Sequence, residues 1–294
     1  MKKRIFALLG ILALSVSILT GCGADNTNET TGKAEDTMLP KDKTYEILFI
    51  GNSYTFYNDM PTAYFATMAK AAGYQVNVQS ITKGAYTLEK FANPKDPYGS
   101  LVANALSGTT KFDFVILQEQ SARPATNPGA FYDGVRPLVE KIRGIGAQPV
   151  LYATWGRKEG SDTLEKNNMT SEEMTWKLAS AYDAIAKELD IPVVHVGIAF
   201  RELYTGTKLD LYNADKSHPS HIGSYVAALS LYCGIFGSDP ADVPLTGPVE
   251  GEELPQVLEA VRRITAEAPQ IPAEYQQSSE GVTAPTEAAT EATT

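Results

Sequence analysis

Three histidines in a chain of 294 residues leave few choices for a general base. One of them lies in Tyr212-Asn-Ala-Asp215-Lys-Ser-His218-Pro-Ser-His221-Ile-Gly-Ser-Tyr225. A carboxylate three residues before an imidazole in a turn can reach one ring nitrogen and leave the other free, and Pro219 stiffens the backbone beside it. An imidazole held in this way accepts the proton of a hydroxyl nucleophile, while the carboxylate fixes its tautomer and stabilises the imidazolium. Ser53, in Ile47-Leu-Phe-Ile-Gly-Asn-Ser-Tyr-Thr55, offers such a hydroxyl. A serine two residues after a strand-ending glycine lies at the carboxyl edge of a sheet, where turn N–H groups can stabilise an oxyanion. Taken singly, Ser53 also reads as a cap of the turn or helix, Asp215 as a turn-forming aspartate, and His218 as a surface histidine. His195 ends an apolar run and reads as a core histidine. His221 with His218 and Asp215 admits a metal-ligand reading, but no fourth ligand is evident, so neither metal nor cofactor is expected.

For Ser53 and His218 to meet, one framework must carry both to the same edge. Short β-branched runs alternate with helical patterns through the middle of the chain. Strands are expected at Glu46–Ile50, Gln75–Ser80, Asp113–Leu117, Gln148–Ala153 and Ile191–Val196. Helices are expected at Pro61–Ala72, Phe131–Ile145, Ser171–Leu189 with Ser171 as N-cap, His221–Phe236 and Leu254–Glu267. Continuous apolar strands separated by helices imply a parallel sheet covered on both faces. Such sheets bind ligands beyond the carboxyl ends of their strands. The segments there hold Ser53, Ile81 to Tyr86, Gln118 to Arg123 and Thr154 to Arg157. Trp155 and Arg157 are read as substrate-binding residues, an indole face for a sugar ring and a guanidinium for a carboxylate or acyl oxygen. Tyr54, Phe56, Tyr57 and Tyr86 are read as the remaining walls of the cleft, although ordinary packing explains each aromatic equally well.

Gly51-Asn52-Ser53 after a first strand, with Asp215-x-x-His218-Pro219 towards the end, resembles the SGNH (GDSL-like) hydrolases over about Tyr45 to Phe236. The resemblance implies an α/β fold, a flavodoxin-like three-layer α/β/α sandwich with a five-stranded parallel sheet. It implies Ser53 as nucleophile, His218 as general base and then acid, and Asp215 as the residue that orients the histidine. It also implies an oxyanion hole made of the Ser53 N–H, a glycine N–H after the second strand, which Gly84 matches, and an asparagine side chain after the third. There are two departures. The aspartate that usually precedes the serine is Asn52, and the family's Gly-x-Asn-Asp gives way to Leu117-Gln-Glu-Gln-Ser-Ala-Arg123. Removing one oxyanion donor costs on the order of 3 kcal/mol. A substitute amide is therefore expected from Gln118 or Gln120, with Gln118 favoured because it directly follows the apolar run.

The ends of the chain carry an address. Met1 to Cys22 joins a short basic segment to an apolar stretch that finishes in Leu19-Thr20-Gly21-Cys22, which resembles the lipobox of bacterial lipoproteins. Residues 1–21 are thus expected to be a lipoprotein signal peptide with Cys22 as the lipid attachment point. Residues 22–44 read as a flexible linker, 45–269 as the hydrolase-like domain, and 270–294 as a disordered acidic tail. Loss of the basic leader turns the net charge of -10 into -13. That balance argues against a nucleic-acid partner. Two cysteines exclude a disulfide framework, and Cys233 in an apolar run reads as a small buried hydrophobe. The expected protein is an extracytoplasmic serine esterase, tethered to a bacterial membrane through the lipid on Cys22. Its expected substrates are esters, O-acetyl groups of carbohydrates (an acylated glycan) above all. The competing readings are a non-catalytic glycan- or solute-binding lipoprotein and a long-chain lipase, although no extended apolar trough is recognisable for the latter.

Overall fold

The apolar run Tyr45-Glu-Ile-Leu-Phe-Ile50 fixes the layering, because its side chains alternate between two buried faces. It lies in β1 (Thr44–Gly51), where Ile47 and Phe49 enter one core and Leu48 and Ile50 enter another. A strand buried on both sides needs helices above and below. The computed structural model describes residues 38–244 and 247–283. The expected signal peptide, the lipid attachment at Cys22 and the tail beyond residue 283 lie outside the described residues.

In chain order β1 is followed by α1 (Ser53–Phe56), a π-helical segment (Met60–Ala66) that runs into α2 (Thr67–Ala71), and β2 (Gln75–Thr82). Then come α3 (Leu88–Ala92), α4 (Pro97–Ser107), β3 (Phe114–Leu117), α5 (Arg123–Thr126), α6 (Pro128–Gly144) and β4 (Gln148–Tyr152). The chain continues through α7 (Asp162–Lys166), α8 (Ser171–Leu189), β5 (Val193–Val194), α9 (Val196–Gly206), α10 (His221–Phe236) and α11 (Leu254–Ala266). All strands pair in parallel, in the order β2-β1-β3-β4-β5. Helices α2, α9, α10 and α11 cover the Ile47/Phe49 face, and α3, α4, α6 and α8 cover the Leu48/Ile50 face. The molecule is the flavodoxin-like three-layer α/β/α sandwich. Its strand order reverses between β1 and β3, which opens a crevice beyond their carboxyl ends.

Several local expectations are corrected. The N-cap of α8 is Thr170, not Ser171. The Thr170 hydroxyl accepts from the Glu173 N–H at 3.1 Å, and the Glu173 carboxylate accepts from the Thr170 N–H at 2.7 Å. The fifth strand shrinks to two residues because His195 turns the chain into α9. No helix is expected there from the sequence, since Val196-Gly-Ile-Ala-Phe200 continues the apolar run and no side chain caps it. The helix expected from Pro61 opens as a π-helical turn, entered through left-handed Asn58 and Asp59 (φ 54° and 52°). The folded part also extends past the expected limits of residues 45 and 269. The Leu39 N–H donates to the Phe236 carbonyl at 3.2 Å. The Arg136 guanidinium donates to the carbonyls of Ser279 (2.8 Å) and Val282 (3.1 Å), and the buried Ser279 hydroxyl donates to the Ala184 carbonyl at 3.0 Å. Residues 270–283 are therefore docked on α6 and α8 and do not belong to a disordered tail.

Candidate active site

The turn after β1 is held from below. Gln118, which is 0% exposed, accepts through Oε1 from the Asn52 N–H at 2.8 Å and from the Thr55 hydroxyl at 2.9 Å. Gly51 leaves no room for a side chain, since a Cβ there would collide with Thr55 Oγ1 and Gln118 Oε1. The cap of α1 is Asn52, whose Oδ1 accepts from the Tyr54 N–H at 3.2 Å. Ser53 is therefore free of the capping role and opens the helix with its hydroxyl turned elsewhere. The Asn52 NH2 group donates to the carbonyls of Tyr86 and Glu119, both at 3.1 Å. An amide suits this position because a carboxylate has nothing to give two carbonyls.

The loop before α10 brings its histidine to that hydroxyl. Asp215 Oδ1 accepts from the N–H groups of Ser217 (3.0 Å) and His218 (2.9 Å), which winds residues 215–218 into a tight turn. Asp215 Oδ2 lies 2.5 Å from His218 Nδ1, and His218 Nε2 lies 2.7 Å from Ser53 Oγ. With Nδ1 donating to the carboxylate, Nε2 is left to accept from the serine. Burial pulls the Asp215 carboxyl upward, but hydrogen bonds from the His218 ring and from the His218 and Ser217 backbone hold it below its ordinary value. The His218 ring is stacked on Tyr57 (centroids 4.3 Å apart, planes 13° apart) and meets the edge of Tyr54 at 5.7 Å. Asn58, one of the left-handed residues, donates through Nδ2 to the Pro219 carbonyl (3.1 Å) and the Ser224 hydroxyl (2.9 Å), which ties the serine loop to the histidine loop. Tyr57 is one of the aromatics expected at the cleft from the sequence, whereas nothing in the type of Asn58 announces its contacts.

Ser53 and His218 open on a cleft of about 330 Å³ lined also by Asn52, Tyr54, Gly84, Gln120, Arg157 and Ser217. Gly84, Tyr54 and Arg157 are thus at the cleft as expected, and two expected residues are not. Gln118 is sealed beneath the serine turn, and its NH2 group is spent on the Glu119 carbonyl. Gln120 stands at the cleft instead. Its Oε1 accepts from the N–H groups of Ala122 (3.1 Å) and Arg123 (3.0 Å), which leaves the amide nitrogen as the group with donors to offer. Trp155 is 0% exposed, sandwiched between Tyr54 (4.6 Å, 10°) and Phe200 (4.0 Å, 3°), with its indole N–H donating to the Ser217 carbonyl at 3.1 Å. It is a floor under the serine and histidine loops and presents no face to a sugar. Arg157 donates to the hydroxyls of Tyr54, Ser217 and Ser121, the last at 2.8 Å, and lies over the Tyr54 ring at 5.1 Å. Burial without a paired carboxylate lowers its guanidinium to about 10, against the pull of Asp215.

The other candidates are placed elsewhere. His195 is buried with neither ring nitrogen hydrogen-bonded, and burial lowers it to about 4, so it stays neutral. His221 pairs through Nδ1 with the Tyr64 hydroxyl at 2.8 Å. Cys233 is buried, and burial pushes its thiol up.

Comparison with protein-family models gives no match, nor does comparison with curated proteins. Comparison with solved structures gives many. A DUF4886 family protein from Bacteroides uniformis is 18% identical with a TM-score of 0.63, over 75% of this chain and 94% of that one, and shares the fold. A protein from Slackia heliotrinireducens assigned to the SGNH hydrolases aligns over 65% of this chain and 98% of its own length, with a TM-score of 0.57. The two are 36% identical, and at that identity along nearly the whole of the relative the chain belongs to the SGNH hydrolase family.

Proposed function

We propose that the protein is a serine esterase in which Ser53 is the nucleophile, His218 the general base and then acid, and Asp215 the residue that holds the histidine. The observation that carries this reading is the unbroken run of hydrogen bonds from Asp215 Oδ2 through His218 to Ser53 Oγ, 2.5 and 2.7 Å, at the mouth of a cleft. Ser53 Oγ attacks the ester carbonyl carbon as its proton passes to His218 Nε2. The carbonyl oxygen becomes an oxyanion, and in this reading the N–H groups of Ser53 and Gly84 and the Gln120 amide, all at the cleft, receive it. Collapse expels the alcohol, which takes the proton from His218. Water activated by the same nitrogen then attacks the acyl-Ser53 carbonyl and releases the acid.

The cleft is at the small end of ligand sites, which favours a short acyl group such as acetyl over a fatty chain. Its amide, hydroxyl and guanidinium lining from Asn52, Gln120, Ser217 and Arg157 suits a hydroxylated alcohol, so an O-acetylated carbohydrate is the proposed substrate. The leader that ends in Cys22 supports a site of action outside the cytoplasmic membrane on a lipid anchor, where such polymers are met. Hydrolysis of a short-chain acyl ester and covalent capture of Ser53 by an organophosphonate, both abolished in Ser53→Ala, are the expected results. Esterase activity retained in Ser53→Ala refutes the mechanism, and a wild type that neither hydrolyses nor labels returns the protein to the non-catalytic binding reading.

A further inference from the structure

Glu119 is the only aspartate or glutamate among the buried polar side chains of the described residues, and it is 0% exposed. Burying a carboxyl group is costly, and an apolar residue would serve the fold better at that depth. Its contacts explain why it is kept. Both carboxyl oxygens accept from the Leu88 N–H (3.3 and 3.2 Å), at the start of α3 beyond the Gly84 loop. Oε1 also accepts from the Gln120 N–H at 2.6 Å. The Glu119 carbonyl accepts from the Asn52 amide (3.1 Å), and its N–H donates to the Tyr182 hydroxyl of α8 (3.0 Å). One residue therefore touches the segments after β1, β2 and β3, which carry Ser53, Gly84 and Gln120.

Resting on the esterase reading above, we propose that Glu119 is a positioning residue whose carboxyl group clasps the segment after β2 to the segment after β3 and so sets the spacing between Gly84 and the Gln120 amide. Here the three residues of Gln118-Glu119-Gln120 divide the labour: one anchors the nucleophile turn, one ties the walls together, and one faces the cleft. The charged groups around the clasp are Arg123 of α5 and Glu89 of α3, which pair with each other at 2.5 Å, and Tyr182, whose own burial keeps its hydroxyl protonated. Burial pushes the Glu119 carboxyl up to about 8, against the N–H of Gln120 and the charge of Arg123. Near that pH the clasp passes from a neutral acid to a carboxylate, a stronger acceptor for both N–H groups.

The test compares wild type with Glu119→Gln, which keeps shape and one carbonyl acceptor but cannot ionise. The readouts are kcat and KM for 4-nitrophenyl acetate from about pH 6 to 9.5, and the rate of organophosphonate capture at Ser53. Above about pH 8, Glu119→Gln is expected to lower kcat and the capture rate at least about tenfold with KM held within about twofold, and to erase the inflection of kcat near pH 8. Wild-type kcat in the variant above about pH 8, or an inflection near pH 8 that survives in it, overturns the clasp while leaving the esterase intact. A wild type inert to both reagents overturns the esterase reading and the clasp with it. If the variant does not fold, amide exchange in wild type decides: protection of the Leu88 and Gln120 N–H groups must change near pH 8, and pH-invariant protection overturns the proposal.

Discussion

Gln118 and Gln120 stand two residues apart and carry the same amide, yet their replacement should fail in opposite ways. Gln118→Leu keeps the approximate volume and removes the acceptor of two buried donors, the Asn52 N–H at 2.8 Å and the Thr55 hydroxyl at 2.9 Å. Each stranded donor costs about 1–3 kcal/mol, so the variant should lose about 2–6 kcal/mol of unfolding free energy. For a domain of this size that lowers the thermal midpoint by about 5–20 °C. Urea titration and thermal melting read the loss directly, and kcat is measured well below the variant's midpoint. Gln120→Glu leaves the oxygen that accepts from Ala122 and Arg123 in place and deletes the NH2 donors. It should melt within about 2 °C of wild type and lose about 10²–10³ in kcat, the usual effect of one oxyanion donor. If Gln118→Leu melts like wild type and loses only kcat, the Gln118 amide belongs in the cleft and the assignment made from the structure is wrong. Full kcat in Gln120→Glu leaves the oxyanion without its third donor and refutes the reasoning from the other side.

Three further outcomes are expected. Asn52→Asp restores the residue that the family usually carries, but here it sets a carboxylate against the carbonyls of Tyr86 and Glu119 and should destabilise the fold by about 2–5 kcal/mol at neutral pH. Since its carboxyl would be raised in the folded state, the deficit should shrink as pH falls from that raised value towards the usual carboxylate range, and equal urea midpoints of variant and wild type at pH 7.5 would contradict the argument. The Asp215 carboxyl is held below its ordinary value, so its contribution to stability is present above pH 4 or so and lost as pH falls through its folded value. Asp215→Asn should flatten the acid limb of the stability profile, and an unchanged limb would place the effect elsewhere. Ending the chain after Pro269 removes the Ser279 and Val282 carbonyls from Arg136 and should cost about 1–3 kcal/mol by urea titration, whereas an unaltered midpoint would show that the docked segment is passive.

The strand–helix alternation and the two halves of the candidate site are legible in the sequence because each rests on short-range signals. An apolar run ends in Gly-Asn-Ser, and a carboxylate stands three residues before a histidine. Helices α8 and α10 likewise span the expected residues, although α8 is capped by Thr170 and not by Ser171. What escapes is decided by partners far along the chain. Trp155 is at the sheet edge, as its position after β4 suggests, but Phe200 and Tyr54 enclose it from segments about 45 and 100 residues away. Gln118 follows the strand directly and for that reason continues into the buried layer, whereas Gln120 has left the strand and reaches the cleft. Strand adjacency marks depth here, not access.

The aromatic floor has an optical consequence. The chain has two tryptophans, and one of them sits two rings from the histidine that meets Ser53, in the run Phe200, Trp155, Tyr54, His218. Trp155 is dry and clamped on both faces, so its emission depends on the local field and little on solvent. A charge that appears on the imidazole or an acyl group that settles on the serine changes that field at close range. With Trp176 replaced by phenylalanine, Trp155 becomes the sole indole emitter, and the enzyme carries an intrinsic dye by which each turnover can be timed in a stopped-flow trace.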